Sequence, residues 1–381
     1  MLIEQAIIVA TANNKLLVSH SPGLTDSEAF ELAASVPPYD CLAGRDGAHA
    51  SISFHRLASG RYSVSRSSRR VEAGLPADGT YMQSIVAPPD ILAHFANNPF
   101  FLLRAAAVGG RLRVLDVVPE VLKPLELKGR VPVIDGALLA QLSHDPGPQA
   151  MATLVQLALS SDHVAVAAAE PLERLVAGFV SLLPVECRTE FSFTTGLPDT
   201  SANRLRISSL GDDRERWRSI ATDGVTLLDL ENCRPAEIVA WQGWAGFVGQ
   251  VLAERALWLL ADAFEQPRPG LTCQGLTALA HQLRVELASN GENIDAGDIA
   301  APDCLPPSQV SEAWDTAGGG MMKDVNRSRG HLLTRAQEGA TAAGGELATT
   351  ISAQPPATLE LLERIDDLVF AAIAGDEQAL V

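Results

Sequence analysis

The chain has 381 residues, 47% of them hydrophobic, and a formal net charge of −17. This length is enough for two or three domains with cores of ordinary size. An acidic balance of this size repels phosphate backbones, which argues against nucleic acid as a partner.

The cysteines and the apolar runs indicate a cytoplasmic protein. The five cysteines are widely scattered and form no C-x-x-C pair, as is typical of reduced thiols in a cytoplasm. The N-terminal residues lack the basic region and the cleavage site of a secretion signal. No run approaches the roughly 18 uncharged apolar residues that a membrane span needs. We therefore expect neither export nor membrane insertion.

The first part of the chain alternates paired strands with helices. Thr25 and Glu28 form a capping box that begins a helix with Phe30 and Leu32 among its apolar residues. Two more helices are predicted around residues 90–96 and 100–107. Alternating hydrophobicity predicts two hairpins and a fifth strand, over 3–10 with 15–19, 50–57 with 61–66, and 80–86. We predict an N-terminal α+β domain over residues 1–125.

From residue 130 the order changes to strand, helix and strand. Residues 163–168 form an apolar run of the buried-strand type, and an amphipathic helix follows from Pro171 to Leu183. After a charged turn, residues 190–195 alternate phenylalanine with hydroxyl side chains. This order predicts a βαβ unit with parallel strands and a right-handed crossover. Further strands are predicted over 204–210 and 225–230, so we assign a middle α/β domain to 130–232.

The last third of the chain begins helical and then loses its large apolar residues. A helical segment is predicted over 235–290, with one helix from Pro235 to Phe264 and a second over about 272–289. Residues 291–356 are rich in Gly, Ala, Ser, Thr, Pro and acid, which predicts a disordered acidic linker. Residues 357–381 form a terminal amphipathic helix. The fold class predicted for the chain is α+β.

The terminal helix carries an apolar stripe that is too large to remain exposed to water. Four aliphatic side chains fall at helical spacing, Leu362, Ile365, Val369 and Ile373. Burying them at roughly 1.5–3 kcal/mol each would order a helix that is marginal on its own. We expect this helix to recognise a partner, with docking on the protein's own body as the alternative.

Thr194, Thr195 and Gly196 are the candidate ligand site of the middle domain. They lie where the second strand of the βαβ unit ends, and ligands of parallel sheets bind beyond the carboxyl ends of the strands. The nearby acids Glu186 and Glu190 could supply chemistry there. Hydroxyls and a glycine are also ordinary loop residues, so a plain loop is the alternative.

Arg61, Arg66 and Arg69 form a small basic cluster in the acidic first domain. Serines interleave with them, and arginine forks bind phosphate or carboxylate oxygens in pairs. The cluster is a candidate surface for an acidic partner, and a solvated strand face is the alternative. His49, His55 and Cys41 lie close in sequence, but a fourth ligand is missing, so we predict no metal and no cofactor.

Several stretches resemble the GTPase-associated protein scaffolds of bacterial conflict systems. The stretches that carry the resemblance are Ile3–Ala6, Arg70–Gly74 with Thr80, Pro89–Leu103, Leu183–Leu197 (LPVECRTEFSFTTGL) and Arg204–Leu210. The resemblance covers about residues 1–260 and implies a tripartite chain with an α+β, an α/β and a helical part. It also implies a non-enzymatic adaptor encoded near a GTPase. The acidic linker and the terminal helix depart from the family's pattern.

The sequence thus predicts a cytoplasmic scaffold that binds partner proteins, including a GTPase, and catalyses no reaction of its own. The alternative is an enzyme or a nucleotide-binding regulator whose site lies near Thr194–Gly196. A deep pocket with converging carboxylates or arginines would favour the alternative, whereas a shallow edge lined by hydroxyls would favour the scaffold.

Overall fold

The computed structural model describes residues 1–11, 14–36, 50–70, 79–109, 112, 115, 118–168, 172–198, 205–210, 224–230 and 242–294. For residues 50, 69, 70, 79, 197, 198 and 287–294 it describes the backbone only. Met1–Gly291 forms one compact unit, and a second unit begins at Glu292. The terminal helix predicted over 357–381 lies outside the described residues. So does the linker predicted over 291–356, apart from its first four residues.

Ten strands and nine α-helices make up the described part of the chain. The strands are β1 (Leu2–Ala10), β2 (Lys15–His20), β3 (Ala50–Arg56), β4 (Tyr62–Arg70), β5 (Gly79–Ala87), β6 (Leu125–Glu126), β7 (Val164–Ala167), β8 (Phe193–Pro198), β9 (Ile207–Ser209) and β10 (Thr226–Asp229). The helices are α1 (Asp26–Ser35), α2 (Pro89–His94), α3 (Pro99–Val108), α4 (Gly136–Leu142), α5 (Pro148–Ser160), α6 (Leu172–Ser181), α7 (Gly243–Ala253), α8 (Leu257–Glu265) and α9 (Leu276–Ile294). The predicted α+β class is confirmed.

All ten strands belong to one mixed sheet. Its order is β10-β7-β9-β8-β3-β4-β5-β1-β2, and β6 pairs with the start of β1. The strands β10, β7, β9 and β8 are parallel, whereas β3, β4, β5, β1 and β2 are antiparallel. The two halves meet where β8 pairs antiparallel with β3. The predicted boundary between residues 125 and 130 therefore lies inside one compact unit that shares one sheet.

The predicted strand, helix and strand order is present, with one strand inserted. β7 and β8 are parallel to each other, as predicted, because each pairs in parallel with β9, which lies between them. The strand predicted over 190–195 begins three residues later, since Val185–Glu190 forms a 3₁₀ helix. Phe191 and Phe193 are nevertheless both buried, as the alternation predicted.

The main core lies on one face of the sheet. Ile52, Phe54, Tyr62 and Val64 point into it from the second hairpin, and the helices from α2 onwards supply much of the opposite side. α1 packs on the other face, where Leu32 contacts a smaller cluster with Met82. Phe30, an apolar residue of the same helix, is 78% exposed on the outer side of α1.

The helical segment also differs from the prediction in two places. The helix predicted from Pro235 to Phe264 is two helices, α7 and α8, and Arg255 between them has φ 56°, outside the helical region. Residues 231–241 lie outside the described part. α9 continues past Gly291 to Ile294, because a single glycine inside a helix costs only about 1 kcal/mol.

The predicted capping box at Thr25 is present and extends into a buried ionic network. Glu28 accepts from the Thr25 backbone at 3.0 Å, from Ser59 Oγ at 2.7 Å and from Arg61 at 3.1 Å. Burial by itself raises the pKa of Glu28, but the hydrogen bonds from Ser59 and Thr25 and the charge of Arg61 outweigh it, so the pKa is lowered.

We expect the Glu28 network to make the protein sensitive to acid. A carboxyl whose pKa is lower in the folded state stabilises the fold above its unfolded pKa, near 4.5, and loses this contribution as the pH falls through the folded value. Urea unfolding should therefore show a steeper loss of stability below pH 4.5 for the wild type than for Glu28→Gln. If the free energy of unfolding changed with pH in the same way for both proteins, Glu28 would not contribute to the acid sensitivity.

Candidate functional site

The charged turn predicted between the amphipathic helix and the following strand folds as the 3₁₀ helix Val185–Glu190. It begins after Pro184, shortly beyond the end of α6. Side chains three residues apart eclipse one another in a 3₁₀ helix, so Cys187 and Glu190 share one side. Arg188, in the predicted charged turn, is buried, at 1% relative exposure. This helix lies at the centre of the stretch that carries the family resemblance, and three of its charged side chains bind backbone groups of other segments.

Arg188 binds three backbone carbonyls from three separate parts of the chain. Its Nε donates to Leu183 O at 2.9 Å, and its two terminal nitrogens donate to Ala96 O at 2.8 Å and Val133 O at 2.6 Å. Burial lowers the pKa of Arg188 to about 9, although the charges of Glu186 and Cys187 oppose this effect. With a pKa of about 9, the guanidinium is still cationic at neutral pH. Its planar group of five N–H donors matches the three fixed carbonyl acceptors.

The two glutamates of the same helix connect it to the segment that precedes α9. Glu186 accepts from the backbone N–H of Arg268 at 2.7 Å, and Glu190 accepts from that of Cys273 at 2.9 Å. Both carboxylates were assigned to the enzyme alternative because they lie near the predicted ligand site. Each has at least one oxygen engaged in a backbone hydrogen bond that positions the segment 268–273.

Cys187, Glu190 and Cys273 form a cluster that the sequence did not predict. One ligand atom from each residue lies within 4.8 Å of the other two. Cys187 is fully buried, Cys273 is half-buried and Glu190 is exposed. The Cys273 thiol donates to Cys187 O at 4.0 Å. Its pKa is raised, first by its hydrogen bond with Cys187, then by burial and by the negative charges of Cys187 and Glu190.

The predicted ligand residues Thr194, Thr195 and Gly196 connect β8 to β3. Thr194 Oγ1 lies 3.1 Å from Ser51 Oγ, and Thr195 Oγ1 accepts from the Ile52 N–H at 2.9 Å. The Gly196 N–H donates to Ser51 Oγ at 2.9 Å. Both threonines are buried. Their hydroxyls join the parallel and antiparallel halves of the sheet, which is a structural role.

The three predicted arginines do not share one environment. Arg61 is 22% exposed, pairs with Glu28 and donates to the carbonyls of Gly23 and Val86. Arg66 is exposed on β4. The side chain of Arg69 lies outside the described residues. Ser65 and Ser67 flank Arg66 and are buried. Because neighbouring residues of a strand point to opposite faces, these serines cannot join Arg66 in binding one phosphate.

A second feature that the sequence did not predict is an apolar surface around the edge strand β2. Of the eight large hydrophobic side chains exposed in the described ranges, five belong to β2 or to segments next to it, namely residues 1–10, α1 and residues 120–122. Leu2 is 65% exposed in β1, Leu16 57% in β2, Phe30 78% in α1 and Val121 57% beside β2, and Met1 is 38% exposed. We call Leu2, Leu16, Phe30 and Val121 the β2 edge surface.

Contacts with β2 connect the segments that carry these residues to the edge strand. Leu17 packs with the α1 side chains, and Lys15 Nζ donates to Val36 O just after α1. At the other end of the strand, His20 bridges to Val121, and Ser19 Oγ donates to Glu120 O at 3.0 Å. The edge strand is therefore flanked by α1 at its start and by residues 120–122 at its end.

Comparisons with protein-family models, with curated proteins and with solved structures find no match for this chain. The resemblance to GTPase-associated scaffolds stays a prediction from the residues. Within the ranges described, no helix has both the length and the apolar character needed to cross a bilayer.

Proposed function

We propose that this protein is a cytoplasmic scaffold that binds a protein partner through the β2 edge surface. The observation that carries the proposal is that the edge strand β2 and the segments next to it carry four large exposed apolar side chains. Single exposed hydrophobic residues are ordinary on any protein, whereas several around one edge are characteristic of an interaction surface. The surface combines strand, helix and loop residues, which suits a macromolecule better than a small ligand.

The side chains on which the enzyme alternative depends form structural hydrogen bonds, which supports the scaffold proposal. Thr194 and Thr195 are engaged between β8 and β3, and Glu186 and Glu190 hold backbone N–H groups of the segment 268–273. Side chains committed to such hydrogen bonds would have to break them before binding a substrate. Their present role is to fix the architecture that presents the edge surface.

The partner we propose is a GTPase encoded near this protein's gene. The family resemblance supports this choice of partner class, and the fold supports the presence of a docking surface. Capture of the full-length protein from its native host, followed by mass spectrometry, tests the choice. We expect a GTPase among the specifically enriched proteins, and its absence from repeated captures would contradict the proposal.

The edge surface itself can be tested by replacing its apolar side chains with charged ones. The triple variant Leu16→Glu, Phe30→Glu and Val121→Glu should lower GTPase capture at least about 10-fold, because buried anchor residues typically contribute more than 1 kcal/mol each. The thermal transition should change little, since all three side chains are exposed.

The matched control for this variant is Trp258→Glu. Trp258 is 50% exposed, but it lies on α8, in the helical layer. Capture by the control should match the wild type. Equal loss in the control and the triple variant would show that the added charge, and not the edge surface, causes the effect.

A further inference from the structure

We propose that Cys187, Glu190 and Cys273 bind a thiophilic divalent cation of the zinc class. The site lies between the 3₁₀ helix Val185–Glu190 and the 3₁₀ turn Cys273–Gly275 that leads into α9. It is independent of the β2 edge surface, so the proposed function and this inference can fail separately.

The geometry of the three donors is close to that of a bound ion. A tetrahedral zinc with bonds of about 2.3 Å to sulfur and about 2.0–2.2 Å to oxygen places its ligand atoms roughly 3.5–3.8 Å apart. The donor atoms here lie within 4.8 Å of one another, so closing on an ion requires shifts of about 1 Å. The eclipsed i and i+3 positions of the 3₁₀ helix supply two donors from one element.

The donor set selects the class of cation. Two thiolates favour zinc and other thiophilic ions over magnesium or calcium, which prefer oxygen. Three protein ligands leave a fourth position for water. Cys187 closes the inner side, and the exposed carboxylate of Glu190 leaves the outer side accessible.

The surroundings of the donors support the assignment. The Cys273 N–H donates to Glu190 Oε1 at 2.9 Å, which orients the carboxylate in the way that metal sites orient their ligands. A cation bound by these three side chains would join the 3₁₀ helix Val185–Glu190 to the turn that leads into α9.

The experiment is a cobalt titration of the full-length protein, reduced and kept anaerobic. The Cys41→Ser, Cys233→Ser and Cys304→Ser background leaves only the two clustered thiols. We expect one Co²⁺ per chain, an intense near-ultraviolet thiolate-to-cobalt band and displacement of cobalt by Zn²⁺. Cys273→Ser should abolish the band, and Glu190→Gln should weaken binding at least about 10-fold.

The variants are chosen so that a loss of cobalt binding does not arise from misfolding. Cys273 and Glu190 are not fully buried, and circular dichroism should report folded proteins. Glu126→Gln, an exposed acid on β6, is the control and should bind cobalt like the background. Absence of a thiolate-to-cobalt band would overturn the proposal, as would unchanged affinity in Cys273→Ser. A Cys187–Cys273 disulfide with no metal bound after its reduction would overturn it equally.

Discussion

Replacing Arg188 with methionine is expected to lower the free energy of unfolding by about 4 kcal/mol. The change would leave the carbonyls of Leu183, Ala96 and Val133 without their donor. Each unpaired buried acceptor costs about 1–3 kcal/mol, and removal of the buried charge offsets part of the sum. Since domains are stable by only about 5–15 kcal/mol, this is a large fraction of the total. Urea unfolding of the two proteins measures the difference.

Arg130→Met is the matched control, because Arg130 is exposed and the substitution is the same. It should change stability by less than about 0.5 kcal/mol. Arg188→Lys should restore the charge without the planar fork and recover only part of the loss. A loss below about 1 kcal/mol for Arg188→Met would mean that the three carbonyls find other donors, and that Arg188 does not hold these segments together.

Phe193→Ala is expected to cost about 3–5 kcal/mol, the usual range for removing a buried phenylalanine. The Phe193 ring is fully buried, stacks on Phe100 with centroids 5.2 Å apart and packs against Phe54 at 5.6 Å. These contacts join β8 to β3 and to α3. Because the two halves of the sheet share this ring, unfolding should remain a single transition with a lower midpoint.

The same substitution at an exposed position provides the control for Phe193→Ala. Phe30 is 78% exposed, so Phe30→Ala should change stability by less than about 0.5 kcal/mol. Two separate unfolding transitions in Phe193→Ala, with one at the wild-type midpoint, would show that the halves of the sheet fold independently. That result would restore the predicted division near residues 125–130.

Local signals in the sequence predicted most of the elements. The Thr25 capping box, the hairpin of β3 and β4 and the amphipathic helix α6 each depend on residues a few positions apart. The pairing of β8 with β3 and the insertion of β9 depend on contacts between distant residues. No local pattern encodes such pairings, so the sequence suggested two domains where the structure has one sheet.

The candidate sites were predictable only in part. Cys187 and Cys273 are 86 residues apart, and only the i and i+3 spacing of Cys187 and Glu190 was visible in the sequence. The burial of Arg188 was not predicted, because arginine is seldom buried and its three acceptors become apparent only when the fold is known. The β2 edge surface escaped notice because Phe30 and Leu16 have the apolar character of core residues.

A calorimetric titration tests the scaffold proposal most directly. The GTPase proposed as the partner, purified and loaded with GDP or with a non-hydrolysable GTP analogue, is titrated into the full-length protein. The account predicts saturable binding for at least one nucleotide state. It also predicts affinity at least about 10-fold weaker for the variant Leu16→Glu, Phe30→Glu and Val121→Glu, and unchanged affinity for Trp258→Glu. Absence of binding in both nucleotide states, or equal affinity of the triple variant and the wild type, would contradict it.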